Sequence, residues 1–133
     1  MASSSDQVPD PGITWPQQAL VVVDVSLVRW EICDLLRENG IIPLETASAE
    51  EALCIAEKFA CDVVLISLWS SPDCGAALAK ELRQRSSTPI VVSCGHARHP
   101  EFAGLNIVPA ESYDTSAVIR LVLKSISEKN PPA

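Results

Sequence analysis

The most constraining feature of the chain is a regular alternation between short apolar runs and amphipathic segments. The first run, Ala19 to Val25, is interrupted only by Asp24, which is typical of a central parallel strand covered on both faces. Apolar residues then recur at helical spacing until Asn39-Gly40, which ends the segment. The chain therefore begins its fold as a strand followed by a helix.

The same alternation continues to the end of the chain. Further strands are predicted at Ile41 to Ala47, Asp62 to Leu68, Ile90 to Cys94 and near Leu105 to Val108. Further helices are predicted after the capping box at Ser48 to Glu51, over about Gly75 to Arg83, and over Ala117 to about Glu128. Strands that alternate with helices favour an α/β fold with a parallel sheet. We expect a doubly wound, five-stranded sheet in the order 2-1-3-4-5, with a functional crevice at the carboxyl ends of strands one, three and four.

Length and composition predict one globular domain. The chain has 133 residues, of which 47% are hydrophobic and 20% are charged. Residues 1–18 are rich in Ser, Pro and Gln without periodicity and are predicted to form a flexible leader. The predicted domain covers residues 19–128, and residues 129–133 form a tail.

Charge and hydropathy exclude several classes of function. The net charge is −7 and the basic residues are scattered, so we expect no direct binding to nucleic acid. No apolar run approaches the roughly 18 residues that a membrane span needs, which predicts a cytoplasmic protein without membrane contact. The five cysteines lack CxxC spacing, which favours reduced thiols over disulfides or a zinc site.

The end of the third predicted strand carries the most specific pattern, Asp62-Val-Val-Leu-Ile-Ser67-Leu-Trp-Ser-Ser-Pro72-Asp-Cys-Gly75. This pattern, with Val23-Asp24-Val25 after the first strand, resembles the receiver domain of response regulators, which has a flavodoxin-like fold. In that family the strand ends in an aspartate that accepts phosphate, and a glycine lies eight positions later. Gly75 keeps this spacing relative to Ser67, so the resemblance implies that serine replaces the acceptor.

The resemblance also implies that the other chemical positions of the family are degenerate. Asp24 matches one of two acidic residues that help to hold magnesium, Cys94 stands where a Thr or Ser hydroxyl is usual, and Val108 replaces a lysine before Pro109. Asp24 is then the only candidate metal ligand, and we expect it to be a structural carboxylate that accepts hydrogen bonds. Ser67, either a polar remnant or a kinase target, is not an anionic nucleophile. No catalytic residue, bound metal or cofactor is predicted.

The surface after the fourth strand suggests where partners bind. Only fourteen residues separate Cys94 from Pro109, so the family's fourth helix is predicted to be shortened or missing. The last helix is apolar over a wide arc, and Ile119, Leu123 and Ile126 extend its stripe beyond a single buried face. We expect these three residues to form a partner-binding or dimerisation patch, unless the shortened region or the leader covers them.

The resemblance and the lost acceptor together predict a degenerate receiver, or pseudo-receiver, that is not an enzyme. It would serve phosphorelay signal transduction as a protein-interaction module that binds a kinase, a regulator or an output domain without being phosphorylated. One alternative is the regulatory domain of a transcription factor whose DNA-binding part lies outside this chain. Another is a thiol-based redox or small-ligand sensor that uses Cys94, Cys74 and the vacated crevice.

Overall fold

A parallel β-sheet with helices on both faces forms the part of the protein that the computed structural model describes, residues 17–70, 72–93, 108–110 and 115–129. The strands are β1 (Gln17–Val23), β2 (Ile41–Thr46), β3 (Val63–Ser67), β4 (Ile90–Ser93) and β5 (Val108–Ala110). The helices are α1 (Ser26–Glu38), α2 (Ala49–Lys58), α3 (Pro72–Arg85) and α4 (Thr115–Lys129). Within these ranges no helix is both long enough and apolar enough to cross a membrane.

The sheet has the order β2-β1-β3-β4-β5 and all neighbouring strands are parallel. The predicted α/β class and the predicted order of the four longer strands are confirmed. At the far edge the short strand β5 pairs with β4. The last strand was predicted near Leu105 to Val108, whereas β5 begins at Val108. Residues 94–107, which include the region predicted to have a shortened or missing helix, lie outside the described residues.

The buried strand β1 divides the hydrophobic core into two halves. Its side chains alternate between the sheet faces, so Ala19, Val21 and Val23 pack with α1 and α4, whereas Leu20 and Val22 pack with α2 and α3. Burying a large aliphatic side chain contributes about 1.5–3 kcal/mol, so a strand buried on both faces is a major source of stability. This explains why the first apolar run in the sequence is almost uninterrupted.

Element boundaries agree with the sequence where side chains cap the helices. The Ser48 hydroxyl accepts a hydrogen bond from the backbone N–H of Glu51 at 3.2 Å, as the capping box predicts. At α1 the helix begins at Ser26 itself, and the preceding Val25 makes no side-chain cap. Strand β1 begins at Gln17, two residues inside the predicted leader.

The predicted partner-binding patch on the last helix is not a surface patch. Ile119 and Ile126 are each only 4% exposed, and Leu123 is partly buried against the same core. The reason is that α4 contacts α1 as well as strands β3, β4 and β5, so two sets of neighbours cover an arc wider than one sheet face requires. The expectation that Ile119, Leu123 and Ile126 present a partner-binding surface is therefore wrong for Ile119 and Ile126, and Leu123 alone makes no patch.

Truncation of this helix should destabilise the fold. We predict that Ile126→Ala lowers the free energy of unfolding by about 2–5 kcal/mol because it leaves a cavity between α4 and the sheet. Leu27→Ala, at a position that is 79% exposed, is the matched control and should change the same quantity by less than about 0.5 kcal/mol. Urea denaturation followed by circular dichroism measures both, and equal stability of the two variants would contradict the burial of α4.

Candidate functional site

The carboxyl ends of β1 and β3 meet at a small cleft. The pairing of Val23 with Ser67 brings the residues that follow these strands, Asp24 and Leu68, to the same edge of the sheet. The first turns of α2 and α3 close the other sides, leaving a volume of about 260 Å³. The cleft is lined by Asp24, Ala47, Ser48, Ala49, Glu50, Leu68, Ser70 and Cys74. This is the edge at which parallel α/β sheets usually bind ligands.

The Asp24 carboxylate holds the loop that leads from β3 to α3. Its Oδ1 accepts a hydrogen bond from the backbone N–H of Trp69 at 2.9 Å. Its Oδ2 accepts one from the backbone N–H of Ser70 at 2.9 Å and one from the Ser70 hydroxyl at 2.5 Å. Both oxygens are therefore engaged by the protein itself, as expected for a structural carboxylate.

These hydrogen bonds determine the ionisation of Asp24. Burial raises the pKa of the carboxyl group, but the bonds from the Ser70 hydroxyl and from the N–H groups of Ser70 and Trp69 together outweigh burial, and the pKa is lowered from its ordinary value of 3.8. A lowered pKa in the folded state means that the charged form stabilises the fold above the ordinary pKa. This contribution disappears as the pH falls through the lowered value.

The Arg29 side chain binds the backbone carbonyl group of the residue that precedes Asp24. Its Nη1 donates to the carbonyl oxygen of Val23 at 2.7 Å, and its Nε donates to Glu45 on β2 at 3.2 Å. Arg37 lies 3.7 Å from the other oxygen of Glu45, so two guanidinium groups share this carboxylate. The Val23 side chain is fully buried in the core. The end of β1 thus offers one carboxylate to the cleft, that of Asp24.

Leu68, rather than Ser67, lines the cleft at the end of β3. Side chains alternate along the strand, so Val63 and Leu65 pack on the α1 and α4 face whereas Val64, Ile66 and Leu68 pack on the α2 and α3 face. Ser67 is 0% exposed, and its hydroxyl has no hydrogen-bond partner among the described residues. The structure thus buries Ser67 in the core instead of placing it among the residues that line this cleft, and its correspondence to the acceptor position of the family stays a prediction.

Gly75 has a local packing role in α3. It is buried, and a Cβ atom at this position would lie 3.4 Å from Cγ2 of Ile66 and 3.8 Å from Cβ of Leu68. The first turn of α3 therefore packs directly over the end of β3. This contact encloses the apolar side of the cleft.

The remaining predicted positions contribute little to the described site. Cys94 lies outside the described residues, and of Val108 only the backbone, in β5, is described. Cys74 is exposed and lines the cleft. Cys33 is buried away from the cleft, and its burial, with a smaller effect from the nearby charge of Glu45, raises the pKa of its thiol to about 11. Among the described residues, no group of three or more His, Cys, Asp or Glu side chains is arranged to hold a metal ion.

Solved structures identify the fold. A receiver domain from Methylobacillus flagellatus superposes with a TM-score of 0.69 at 25% identity, covering 84% of this chain and 99% of that domain. The chain has the fold of a response-regulator receiver domain. TrrA from Thermotoga maritima, in a complex with the histidine kinase ThkA, matches with a TM-score of 0.69 at 19% identity, covering 82% of this chain and 97% of TrrA.

Comparison of sequences gives a narrower likeness. No family model matches the chain. The transcriptional regulatory protein PdtaR from Mycobacterium tuberculosis is 31% identical over 78 residues, which is 58% of this chain and 38% of PdtaR. The chain thus spans well under half of the length of this relative.

The receiver fold also presents a surface that the sequence did not point to. Leu27 and Trp30, one helical turn apart on α1, are 79% and 63% exposed. The helical spacing of Val28, Ile32 and Leu36 correctly predicts the face of α1 that packs on the core. The spacing does not indicate whether apolar residues on the other faces, such as Leu27 and Trp30, are exposed. The exposed residues become visible only when the packing of α1 is known.

We predict that Asp24→Asn destabilises the protein at neutral pH. The amide cannot accept the three hydrogen bonds that the carboxylate accepts, and the free energy of unfolding should fall by about 1–3 kcal/mol. The difference between parent and variant should shrink as the pH falls from 3.8 through the lowered pKa of folded Asp24, because the unfolded parent is protonated there before the folded parent. Urea denaturation at several pH values measures this.

The control for this comparison is Glu31→Gln, which neutralises an exposed carboxylate on α1. It should leave the stability within about 0.5 kcal/mol of the parent at every pH. If Asp24→Asn behaved like this control, Asp24 would not hold the loop.

Proposed function

We propose that this chain is an atypical receiver domain that acts without phosphorylation, as a protein-interaction module in two-component signalling. The observation that carries the proposal is the absence of a carboxylate at the end of β3, where Ser67 and Leu68 are both buried. The proposed module is not an enzyme. Its fold would present a fixed surface to a partner protein.

The chemistry of the cleft supports this proposal. Acyl phosphate formation needs a carboxylate nucleophile, and a leucine side chain has no nucleophilic atom. The Ser67 hydroxyl is neutral and 0% exposed, so it meets neither the electronic nor the steric requirement. Phosphorylation of Ser67 by a kinase would require the strand end to open.

The electrostatics of the cleft argue in the same direction. Mg²⁺ prefers an octahedral set of oxygen ligands and is usually bound through one or two carboxylates. Both carboxylate oxygens of Asp24 already accept hydrogen bonds from the backbone N–H groups of Trp69 and Ser70. Binding a metal ion would therefore first release the loop, at the cost of these hydrogen bonds.

The expected partner of the proposed interaction module is a protein and not a nucleic acid. TrrA, which shares the fold, is found in a complex with a histidine kinase. The net charge of −7 opposes contact with the phosphate backbone of DNA or RNA. A kinase, another regulator or an output domain would be the expected class of partner.

A second candidate function is the regulatory domain of a transcriptional regulator. The 31% identity to PdtaR over 78 residues favours it, because the matched part covers 38% of that regulatory protein. In this case the effector part would lie outside the present chain, and the domain described here would regulate it by contact. The loss of phosphorylation chemistry would be the same in both cases.

The proposal predicts that phosphodonors do not modify the protein. After incubation with acetyl phosphate and Mg²⁺, intact mass spectrometry should show no added phosphoryl group, because no carboxylate nucleophile stands at the end of β3. TrrA, which has been crystallised with Mg²⁺ and beryllofluoride, is a suitable positive control for the donor. A stoichiometric phosphoryl adduct on this chain would refute the proposal.

A further inference from the structure

The two basic side chains of α1 are both bound to the neighbouring strand β2. Arg29 Nε lies 3.2 Å from one carboxylate oxygen of Glu45, and Arg37 Nη2 lies 3.7 Å from the other. Arg29 also donates to the carbonyl oxygen of Val23 at 2.7 Å. The positive charge of this helix is therefore matched by a carboxylate of the sheet.

The outer face of α1, opposite its buried residues, carries negative charge. The inner face is marked by the buried residues Ile32, Cys33 and Leu36. Three carboxylates lie on the outer face at spacings of three and four residues: Glu31, Asp34 and Glu38. Glu31 and Glu38 are exposed, and Asp34 is half-exposed. None of the three forms a hydrogen bond or an ion pair with another residue in the described part of the chain.

An exposed apolar pair occupies the amino-terminal end of the same face. Leu27 and Trp30 are 79% and 63% exposed. Leu27 lies one helical turn before Glu31, and Trp30 lies one turn before Asp34, so each apolar side chain has a carboxylate as its neighbour. Tryptophan is among the residues most often found at the energetic centre of protein interfaces. The outer face of α1 thus combines an apolar anchor with unpaired negative charge.

The surface that complements this face is apolar and bordered by basic side chains. Unpaired carboxylates favour a partner that supplies Lys or Arg, and they oppose a nucleic acid or an anionic membrane. With 13 residues, α1 is about 20 Å long and presents a convex surface. A second helix can pack along such a surface, and a basic amphipathic helix offers its apolar and positive side chains at the same spacing.

We propose that the outer face of α1 binds a basic amphipathic helix of a partner protein. Leu27 and Trp30 contact the apolar stripe of that helix, and the carboxylates of Glu31, Asp34 and Glu38 face its Lys and Arg side chains. The apolar pair supplies most of the affinity, whereas the exposed charges favour the correct class of partner and speed its association. This inference rests on the proposed role as a protein-interaction module and names the chemistry of the partner.

A synthetic peptide of leucine and lysine at amphipathic helical spacing is a suitable probe. A peptide of about 14 residues matches the length of α1. Titrated into the ¹⁵N-labelled full chain, it should cause saturable NMR shifts at the amides of α1 and at the indole N–H of Trp30. The affinity should fall as the salt concentration rises, because the carboxylates involved are exposed and their interactions are screened.

Variants of α1 assign the binding to this face. Trp30→Ala should weaken binding about tenfold or more, because it removes the apolar anchor. The double variant Glu31→Gln with Glu38→Gln should weaken binding and lose much of its salt dependence. These positions are exposed, so the variants should keep the stability of the parent.

Matched controls lie outside α1. Ile42→Ala removes an exposed apolar side chain of β2, and Glu50→Gln neutralises an exposed carboxylate of α2. Both should bind the peptide like the parent. If they weakened binding as much as the α1 variants, the peptide would be responding to the overall negative charge of the protein, and the assignment to α1 would be wrong.

Two further probes test the chemistry of the partner. A peptide with glutamate in place of every lysine should not bind, and equal binding of this peptide would overturn the proposal. Binding to neutral phosphatidylcholine vesicles that is lost in Trp30→Ala would also overturn it, because the apolar pair would then contact lipid. Absence of any saturable shift with the leucine–lysine peptide would refute this inference, whereas the proposed function is tested separately by the phosphodonor experiment.

Discussion

The engagement of the Asp24 carboxylate by the loop after β3 is the interaction on which the candidate site depends. One side chain, at the end of the central strand, accepts hydrogen bonds from the N–H groups of two successive residues of a loop more than forty positions away. A partly buried carboxylate must be satisfied by donors or by a cation. Here the backbone supplies the donors, so the charge that would otherwise attract a metal ion instead fixes the loop and the start of α3.

The neighbours of Asp24 are consistent with this arrangement. The side chains of Val23 and Leu68, next to Asp24 at the strand ends, are apolar and buried, so they add no charge that a cation would have to balance. The Arg29 guanidinium donates hydrogen bonds to the Val23 carbonyl oxygen and to Glu45. The cleft consequently has an apolar wall beside an acid, Asp24, whose pKa is lowered by its own hydrogen bonds.

Sequence patterns predicted the architecture well because the fold depends on features that repeat along the chain. The uninterrupted β1 run, the helical spacing of α1 and the capping box at Ser48 each describe local chemistry that the fold preserves. The alternation of strands and helices favours a doubly wound parallel sheet, and the order of the four longer strands is that of one of the two common forms of this sheet. The same reasoning identified Asp24 as a hydrogen-bonded carboxylate.

The errors arose where long-range packing decides the environment of a residue. The complete burial of Ser67 depends on the packing at the end of β3, which its spacing to Gly75 does not report. Ile119 and Ile126 are buried because α1 lies beside α4, and this contact has no local sequence signal. For the same reason the exposure of Trp30 was not apparent from the sequence.

The Asp24 carboxylate is satisfied by donors of the protein itself, and we propose that it therefore does not act as a ligand of a divalent cation. Titration of the ¹⁵N-labelled full chain with Mg²⁺, with NMR observation of the backbone amides of Trp69 and Ser70, tests it most directly. These two resonances should show no saturable shift up to millimolar Mg²⁺, like amides remote from the cleft. A saturable shift at these amides that is absent from the Asp24→Asn variant would instead show that Asp24 acts as a metal ligand.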